Sequence, residues 1–507
     1  MFEGLELLGR GVGHFLTPIS IFNVAWATLL GIVIGALPGL TATLGVALLV
    51  TLTYKMAPDQ AILTLVCMYV GAIYGGSRSA ILLNIPGTPA SAATTLDGYP
   101  LALRGQAGYA MGIATTSSAL GTMVGIVCLA IFAPLLAELA LDFGSYEFFW
   151  LAVFGVVISG QLTATDTPLK GYIAGILGLL AAMVGMEGIH AHQRFTFGIH
   201  QLGGGIDIIP AMVGAFGFAE ILTVMKNRSA VVIGSSIDRV VPRVADVLKY
   251  WRTIIRSGVI GTFVGIIPGV GEDIGAWASY AAARRASRER EQFGKGSVEG
   301  LTAAETGNSA VVPGALIPAL TLAIPGSAPA AVLLAALFIH GVRPGPMIML
   351  ENPGFVYEMV GMLLLATIAI TVYGLSLTRV LVKVLRIPRE RLMPVVFVLC
   401  VIGPYAITQR MFDVYVMLFF GIVGFILREM KYPMAPLVLG IILGDLLDTN
   451  LRRGLVVSDG DPSPFFTRPI SLLLFSVTAL TIILSIPAVK NGARRAFHHL
   501  LPGRSAG

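Results

Sequence analysis

Apolar runs long enough to cross a lipid bilayer recur along this chain from Ile19 to Val489, and that recurrence leaves few folds open. A membrane-crossing helix needs about 20 such residues, and within hydrocarbon only helices and closed barrels satisfy their own backbone groups. By this criterion the chain makes roughly a dozen crossings or half-crossings. Only 12% of its 507 residues are charged and 55% are hydrophobic, against about 25% charged in an average soluble protein. The longest polar interval, Lys226 to Arg256, is too short for a soluble domain.

Charge then reports orientation. The chain carries 34 Lys and Arg against 28 Asp and Glu, a net charge of +6, concentrated in connections. Lys226, Arg228, Arg239, Arg243, Lys249, Arg252 and Arg256 crowd one connection, Arg284 to Lys295 another, and Lys490 to Arg504 the tail. The positive-inside rule places all three, the C-terminal tail included, on the cytoplasmic side. The stretch from Glu187 to His200 holds His190, His192 and His200 with a single Arg194. It reads as a loop on the opposite face, since its spacing matches no metal-ligand pattern. Met1 to Pro18 contains Glu3 and Glu6 and lacks the basic start and cleavage site of a secretory signal, so no removal is expected. Cys67, Cys128 and Cys400 each sit singly inside apolar runs and read as packing residues.

Glycine and proline mark where the helices break, and their phrases occur twice. Gly35-Ala-Leu-Pro38-Gly39 is followed by Asn84-Ile-Pro86-Gly87-Thr88-Pro89-Ala90; Gly265-Ile-Ile-Pro268-Gly269 is followed by Ala323-Ile-Pro325-Gly326-Ser327-Ala328-Pro329-Ala330. The spacing is 47 positions from Gly39 to Pro86 and 56 from Gly269 to Pro325. The expected fold is therefore an all-α polytopic membrane protein built from two repeats with paired, Pro-Gly broken helices. Residues 1–225 form an N-terminal repeat, 226–256 a basic cytoplasmic connection, 257–352 the core of a C-terminal repeat, and 353–507 further helices and the tail.

Paired interruptions of this kind are the sequence signature of a secondary transporter's binding site. A broken helix leaves amides and carbonyls without intrahelical partners, and hydrocarbon cannot satisfy them. A single break can be a plain kink satisfied by neighbouring helices; four phrases in duplicate order favour a site. Thr88 before Pro89, and Ser327 before Pro329, put a hydroxyl at an N-cap and a proline in the first turn. The amides and the positive dipole end would then face a bound carboxylate, and Gly87 and Gly326 would let the backbone approach it. Two such ends meeting from opposite directions require inverted repeats. The expected substrate-binding set is Gly39, Thr41, Arg78, Asn84, Pro86, Gly87, Thr88, Pro89 and Ser91 from the first half, with Pro268, Gly269, Pro325, Gly326, Ser327 and Ala328 from the second.

Charged residues extend this reading. Arg78, near the first break, can clamp a substrate carboxylate or serve an internal ion pair. Asn84, Asp273, Glu305 and Asn308 offer hard oxygen ligands for a coupling cation, Na+ or H+; helix capping is the competing role for Asn84, and an N-terminal carboxylate near the interface for Glu272 and Asp273. Asp445, Asp448, Arg452 and Arg453 read as structural or interfacial. No cofactor is called for.

Longer motifs carry a resemblance. Gly71-Ala-Ile-Tyr74-Gly75-Gly76-Ser77, Ala80-Ile-Leu-Leu-Asn84-Ile-Pro86-Gly87-Thr88-Pro89 and Asp97-Gly98-Tyr99-Pro100 are similar to the large permease of tripartite tricarboxylate transporters, the TctA family. So are Pro268-Gly269-Val-Gly271, Phe293-Gly294-Lys295-Gly296, Glu305, Asn308, Ile324-Pro325-Gly326-Ser327, Gly341 to Pro346, and Leu451-Arg452-Arg453 to Arg468-Pro469-Ile470-Ser471. The resemblance covers nearly the whole chain from about Gly31. It implies a bacterial inner-membrane permease working with a small TctB-like membrane subunit and a TctC-like periplasmic solute-binding protein. It further implies uptake of tricarboxylates, dicarboxylates or related organic anions driven by an ion gradient, with membrane lipid around it and no nucleic-acid partner.

Other functions fit less well. An intramembrane aspartyl protease needs two carboxylates sharing a proton; Gly269-Val-Gly271-Glu272-Asp273 and Leu443-Gly444-Asp445 both have a glycine near an acid, but the first has Glu where a Gly-x-Gly-Asp motif would have Asp. The chain has no His-Glu-x-x-His, no Gly-x-Ser-x-Gly and no phosphate-cradling Gly-x-x-x-x-Gly-Lys-Ser/Thr. A channel also uses broken helices, but would conduct without a soluble partner. A structural scaffold would not require matched breaks.

Overall fold

Proline and glycine set the architecture as the sequence suggests. A computed structural model describes residues 2–164, 167–189, 191–226, 238–385 and 389–485. His190, Arg228 and the basic tail from Lys490 to Arg504 lie outside them. Nine described helices are long and apolar enough to cross a membrane, and four shorter apolar helices accompany them. The strands among the described residues are the two-residue pair Gly185–Met186 and Gln193–Arg194.

The first half of the core runs α1 (Pro18–Ala36), α2 (Ala42–Thr53), α3 (Pro58–Leu83), α4 (Ala92–Leu103) and α5 (Ala107–Ala140). The second runs α6 (Trp251–Ile266), α7 (Gly271–Ala286), α8 (Val298–Leu322), α9 (Ala328–Ile339) and α10 (Phe355–Ser376). Trp251 to Arg256, the end of the basic connection, are thus already helical. A residue before proline avoids the helical region, and both front helices stop there: Leu37 has φ −84° and ψ 112°, Ile267 has φ −76° and ψ 120°. Both α3 and α8 end in a left-handed residue, Asn84 at φ 55° and Ala323 at φ 56°.

The two halves agree residue by residue. The Gly87 amide donates to the Gly76 carbonyl at 3.4 Å, and the Gly326 amide to the Ala315 carbonyl at 3.4 Å; both members of each pair are 239 positions from their counterparts. Helices α1 and α3 approach so closely that a Cβ on Gly35 would overlap the Ala72 carbonyl, and one on Gly265 of α6 would come within 2.7 Å of the Val311 oxygen on α8. Such small-residue contacts are how helices pack in lipid, where no hydrophobic force drives them together. The unequal spacings of 47 and 56 arise because both α7 and the connection from it to α8, which contains Phe293-Gly294-Lys295-Gly296, are longer than α2 and the connection from it to α3.

Equivalent helices of the two halves run antiparallel. Tyr69 on α3 reaches Ser327 at the second break, whereas Ser77, eight residues nearer the first break, reaches Glu305 inside α8. The repeats are inverted, and each long helix, α5 or α10, packs against the broken helix of the other half.

Contacts divide the chain into two compact units that do not follow chain order. One holds residues 1–142 and 206–430, the other 143–205 and 431–507. The second unit contains helices Ser145–Thr163, Pro168–Ala182, Met434–Val457 and Pro469–Ser485. Its charges are paired: Asp448 accepts from Arg194 Nη1 and Nη2 at 3.0 and 2.9 Å and from Arg452 Nε at 3.1 Å, and Arg452 also meets Glu187 at 2.5 Å. These bonds fasten the strand pair to helix Met434–Val457. Asp448→Ala removes the carboxylate that Arg194 grips with both Nη atoms and one of the two partners of Arg452, and is expected to cost about 2 kcal/mol, read as a lower thermal midpoint of the purified protein. An unchanged midpoint would show that the network is dispensable.

Candidate functional site

Each break leads into a half-helix that starts at a hydroxyl residue, but only Ser327 caps its helix through that hydroxyl. In the first half, Thr88 (φ −122°, ψ 156°) precedes a short 3-10 turn, Pro89–Ser91, that leads into α4. The Ser91 hydroxyl accepts the Thr88 amide at 3.4 Å and donates to the Thr88 carbonyl at 2.8 Å, while the Thr88 Oγ1 itself, 2% exposed, has no partner. In the second half, Ser327 caps α9 and its hydroxyl accepts the Ala330 amide at 3.4 Å. Helix α9 has 12 residues, about 18 Å at 1.5 Å per residue, short of the roughly 30 Å of hydrocarbon.

The front loops close onto the breaks. The Gly269 amide donates to the Pro325 carbonyl at 3.3 Å and the Gly271 amide to the Gly326 carbonyl at 3.2 Å. In the first half the Gly35 carbonyl faces Gly87. Gly39 takes φ 96° and Gly269 φ 69°, a left-handed turn suited to glycine. Thr41 is the N-cap of α2, accepting the Leu44 amide at 3.1 Å, and Ala328 opens α9. The halves then meet: the turn Pro89–Ser91 packs on α7, and α9 packs on α2. Thr88 rests against Gly76, seven residues along α3 from Tyr69, which holds Ser327 at 2.7 Å. The two caps are therefore separated by about 10 Å along that helix.

The breaks differ in access and in chemistry. Asn84, Ile85 and Pro89 are exposed at the first break, whereas Ile324, Pro325, Gly326 and Ser327 are buried at the second. At the second, Tyr69 OH donates to Glu272 Oε1 and pairs with the Ser327 hydroxyl, so a carboxylate from the chain itself stands beside that half-helix. On α8, Glu305 is wholly buried and accepts from Ser77 at 2.7 Å, Ser118 at 2.9 Å and Thr94. One carboxylate thus ties α3, α4 and α5 to α8. One turn further, Asn308 is also 0% exposed, and neither its Oδ1 nor its Nδ2 has a partner.

Arg78 turns toward α5. Its guanidinium donates to the Met111 carbonyl at 3.3 Å and the Thr115 hydroxyl at 3.1 Å and lies 4.6 Å from the Tyr74 ring, an internal role rather than a clamp at the caps. Asp273 sits half-buried in the first turn of α7, and Asn84 stands exposed at its turn, unlike Glu305 and Asn308. Among the described residues no three His, Cys, Asp or Glu side chains converge on one point. A cation at Glu305 would rest on one carboxylate and neutral hydroxyl oxygens, a hard donor set.

Two phrases from opposite halves of the sequence prove to be one clasp. Asp97 Oδ1 accepts the amides of Gly294, Gly296 and Ser297 at 2.8, 2.9 and 2.8 Å, and Oδ2 accepts Tyr280 OH at 2.9 Å. Successive amides around one oxygen form an anion-binding nest, filled here by the first half's own aspartate. Tyr69, Thr94 and Ser118 escape a reading of the sequence, because a lone polar residue in an apolar run gives no sign of a partner hundreds of positions away.

A sequence model described as the Tripartite tricarboxylate transporter TctA family matches residues 21–439. An "Uncharacterized 52.8 kDa protein in TAR-I ttuC' 3'region" of Agrobacterium vitis is 35% identical over 508 aligned positions, covering 98% of this chain and 99% of that protein. An "Uncharacterized protein in TAR-II ttuC' 3'region" of the same organism is 32% identical over 238 positions, 47% of this chain and 98% of its own length. No solved structure matches the chain.

Proposed function

Since this chain belongs to the tripartite tricarboxylate transporter TctA family, we propose that it is a binding-protein-dependent secondary permease that imports tricarboxylates, dicarboxylates or related organic anions. The family is the large subunit of tripartite systems, and this chain is a multi-pass membrane protein. In the proposed system a small TctB-like membrane subunit sits beside it, and a TctC-like periplasmic protein delivers the anion to it in the bacterial inner membrane, with the C-terminal tail in the cytoplasm. The chain transports rather than catalyses and uses no cofactor.

The observation that carries this reading is the matched pair of breaks, each with its αL stop, its glycine and a half-helix that starts at a hydroxyl residue. Half-helix N-termini facing an anion supply amides and a positive dipole end at membrane depth. Glycine at 87 and 326 lets each break close against the front helix and the broken helix of its own half, and Pro86, Pro89, Pro268 and Pro325 interrupt the helices there. Inward movement is driven by Na+ or H+, and Glu305 is the residue whose surroundings suit the coupling cation, with Ser77, Thr94 and Ser118 around it. Asp273 and Asn84 are the secondary candidates.

Reconstitution of the chain with its small subunit and binding protein in proteoliposomes should give uptake of a radiolabelled carboxylate that collapses when ionophores dissipate the Na+ and H+ gradients. Uptake that persists under those conditions would reject gradient coupling. Conductance without the binding protein would favour a channel.

A further inference from the structure

The inverted repeat places two stations in equivalent positions, and their side chains differ. Tyr69 follows Met68, whose carbonyl faces Gly31; Asn308 follows Gly307, whose carbonyl faces Gly261. Met68 and Gly307 lie 239 positions apart, the same interval that relates Gly76 to Ala315, Asn84 to Ala323, and Thr88 to Ser327. Asn308 is therefore the counterpart of Tyr69, and Thr88 the counterpart of Ser327. At the second station the ring of Tyr69 spans the gap, its hydroxyl reaching both Ser327 and the carboxylate of Glu272. At the first, the repeat puts the shorter Asn308 in the place of that ring. Its amide and the Thr88 hydroxyl are buried and unpartnered, and α2 opens with Thr41-Ala42-Thr43, without a carboxylate where α7 opens with Glu272 and Asp273.

We infer that Asn308 and Thr88 receive one carboxylate of the transported anion, at the station whose twin is occupied by Glu272. The inference deepens the transport reading above and rests on it. The chain's own geometry shows what chemistry this station takes: beside the twin N-cap hydroxyl stands a carboxylate, held by a side-chain donor. At the first station the side-chain donors are the Asn308 Nδ2–H and the Thr88 O–H, at the positive end of the half-helix. A buried amide left without a partner is costly, so Asn308 weakens the empty fold and strengthens the loaded one. The two breaks then have unequal tasks. The first, with Asn84, Ile85 and Pro89 exposed, admits the anion; the second is closed by the chain's own Glu272.

The test uses the reconstituted three-component system and a panel of radiolabelled citrate, malonate, succinate and glutarate. For whichever probe the native system takes up, Asn308→Ala should raise the half-saturating carboxylate concentration roughly tenfold to a hundredfold, the effect of one hydrogen bond to a charged group. The half-saturating concentration of the driving cation should not move, and the thermal midpoint of the empty protein should not fall. Thr88→Val, nearly isosteric, should shift carboxylate dependence in the same direction and serves if Asn308→Ala fails to fold. A shift in cation dependence alone would make Asn308 a cation ligand and overturn the inference. Unchanged carboxylate dependence in both variants, or a fallen thermal midpoint without a carboxylate effect, would overturn it while sparing the transport reading. Failure of the native system to take up any of the four acids would overturn both.

Discussion

Gly326→Val is expected to abolish carboxylate uptake, by on the order of a hundredfold or more, while the protein still enters the membrane in normal amounts. The reason is where a side chain would go. A Cβ at position 326 overlaps the Gly265 carbonyl and lies 2.8 Å from Ala315 Cα and 3.0 Å from Ala315 Cβ. Backbone atoms of two packed helices cannot swing aside as a flexible side chain can, so the loop must lift and take the Ser327 cap with it. Overpacking of this kind costs about 1–3 kcal/mol even where the surroundings relax. Gly87→Val should behave alike, since its Cβ overlaps the Gly35 carbonyl and meets Ser79 Oγ at 2.6 Å and Gly76 Cα at 2.9 Å. Neither change adds a polar group, so apolar span length and insertion are preserved. Gly13→Ala, with nothing within 4 Å, is the matched control. Membrane-fraction yield and proteoliposome uptake measure the two outcomes separately, and full uptake by both valine variants would remove the loops from the mechanism.

Glu305→Ala should be the most destabilising single change in the core, by about 3–5 kcal/mol. It deletes the acceptor of three buried hydroxyls, on α3, α4 and α5, and removes the carboxylate whose charge acts on the buried Arg78 guanidinium. The position is 0% exposed, so bulk solvent does not reach those hydroxyls. A sharp fall in thermal midpoint and in monodisperse yield is the expected result, with Glu305→Gln recovering much of the stability because its carbonyl still accepts. On the proposed role of Glu305 in cation coupling, the glutamine variant should nonetheless lose uptake. If the alanine variant melts with the native protein, the carboxylate does not hold the four helices together.

How much of this was legible beforehand can be judged from particular residues. The breaks at Pro38, Pro86, Pro268 and Pro325 were readable because proline and glycine act on their own backbone. The cap at Ser327 was readable for the same reason, as was the duplication behind it, whereas the hydroxyl of Thr88, at the equivalent position, caps nothing. The residue-by-residue match was not, because the 230-position interval between the front loops becomes 239 at the main breaks across a longer connection. Arg78 could be placed near a break by counting, yet its direction, toward Tyr74 and Thr115, depends on which helix lies beside it. Glu272 read equally well as a helix-end carboxylate until Tyr69, 203 positions away, was seen to bond it.

Local rules thus sufficed for where this polypeptide spans, breaks and caps its helices, because hydrophobicity and the geometry of proline and glycine are properties of short segments. Which buried polar groups find each other was decided only in three dimensions. The same inverted repeat leaves Asn308 and Thr88 without partners and gives their twins a tyrosine and a carboxylate, since partnership inside lipid is set by what the opposing helix presents across the fold.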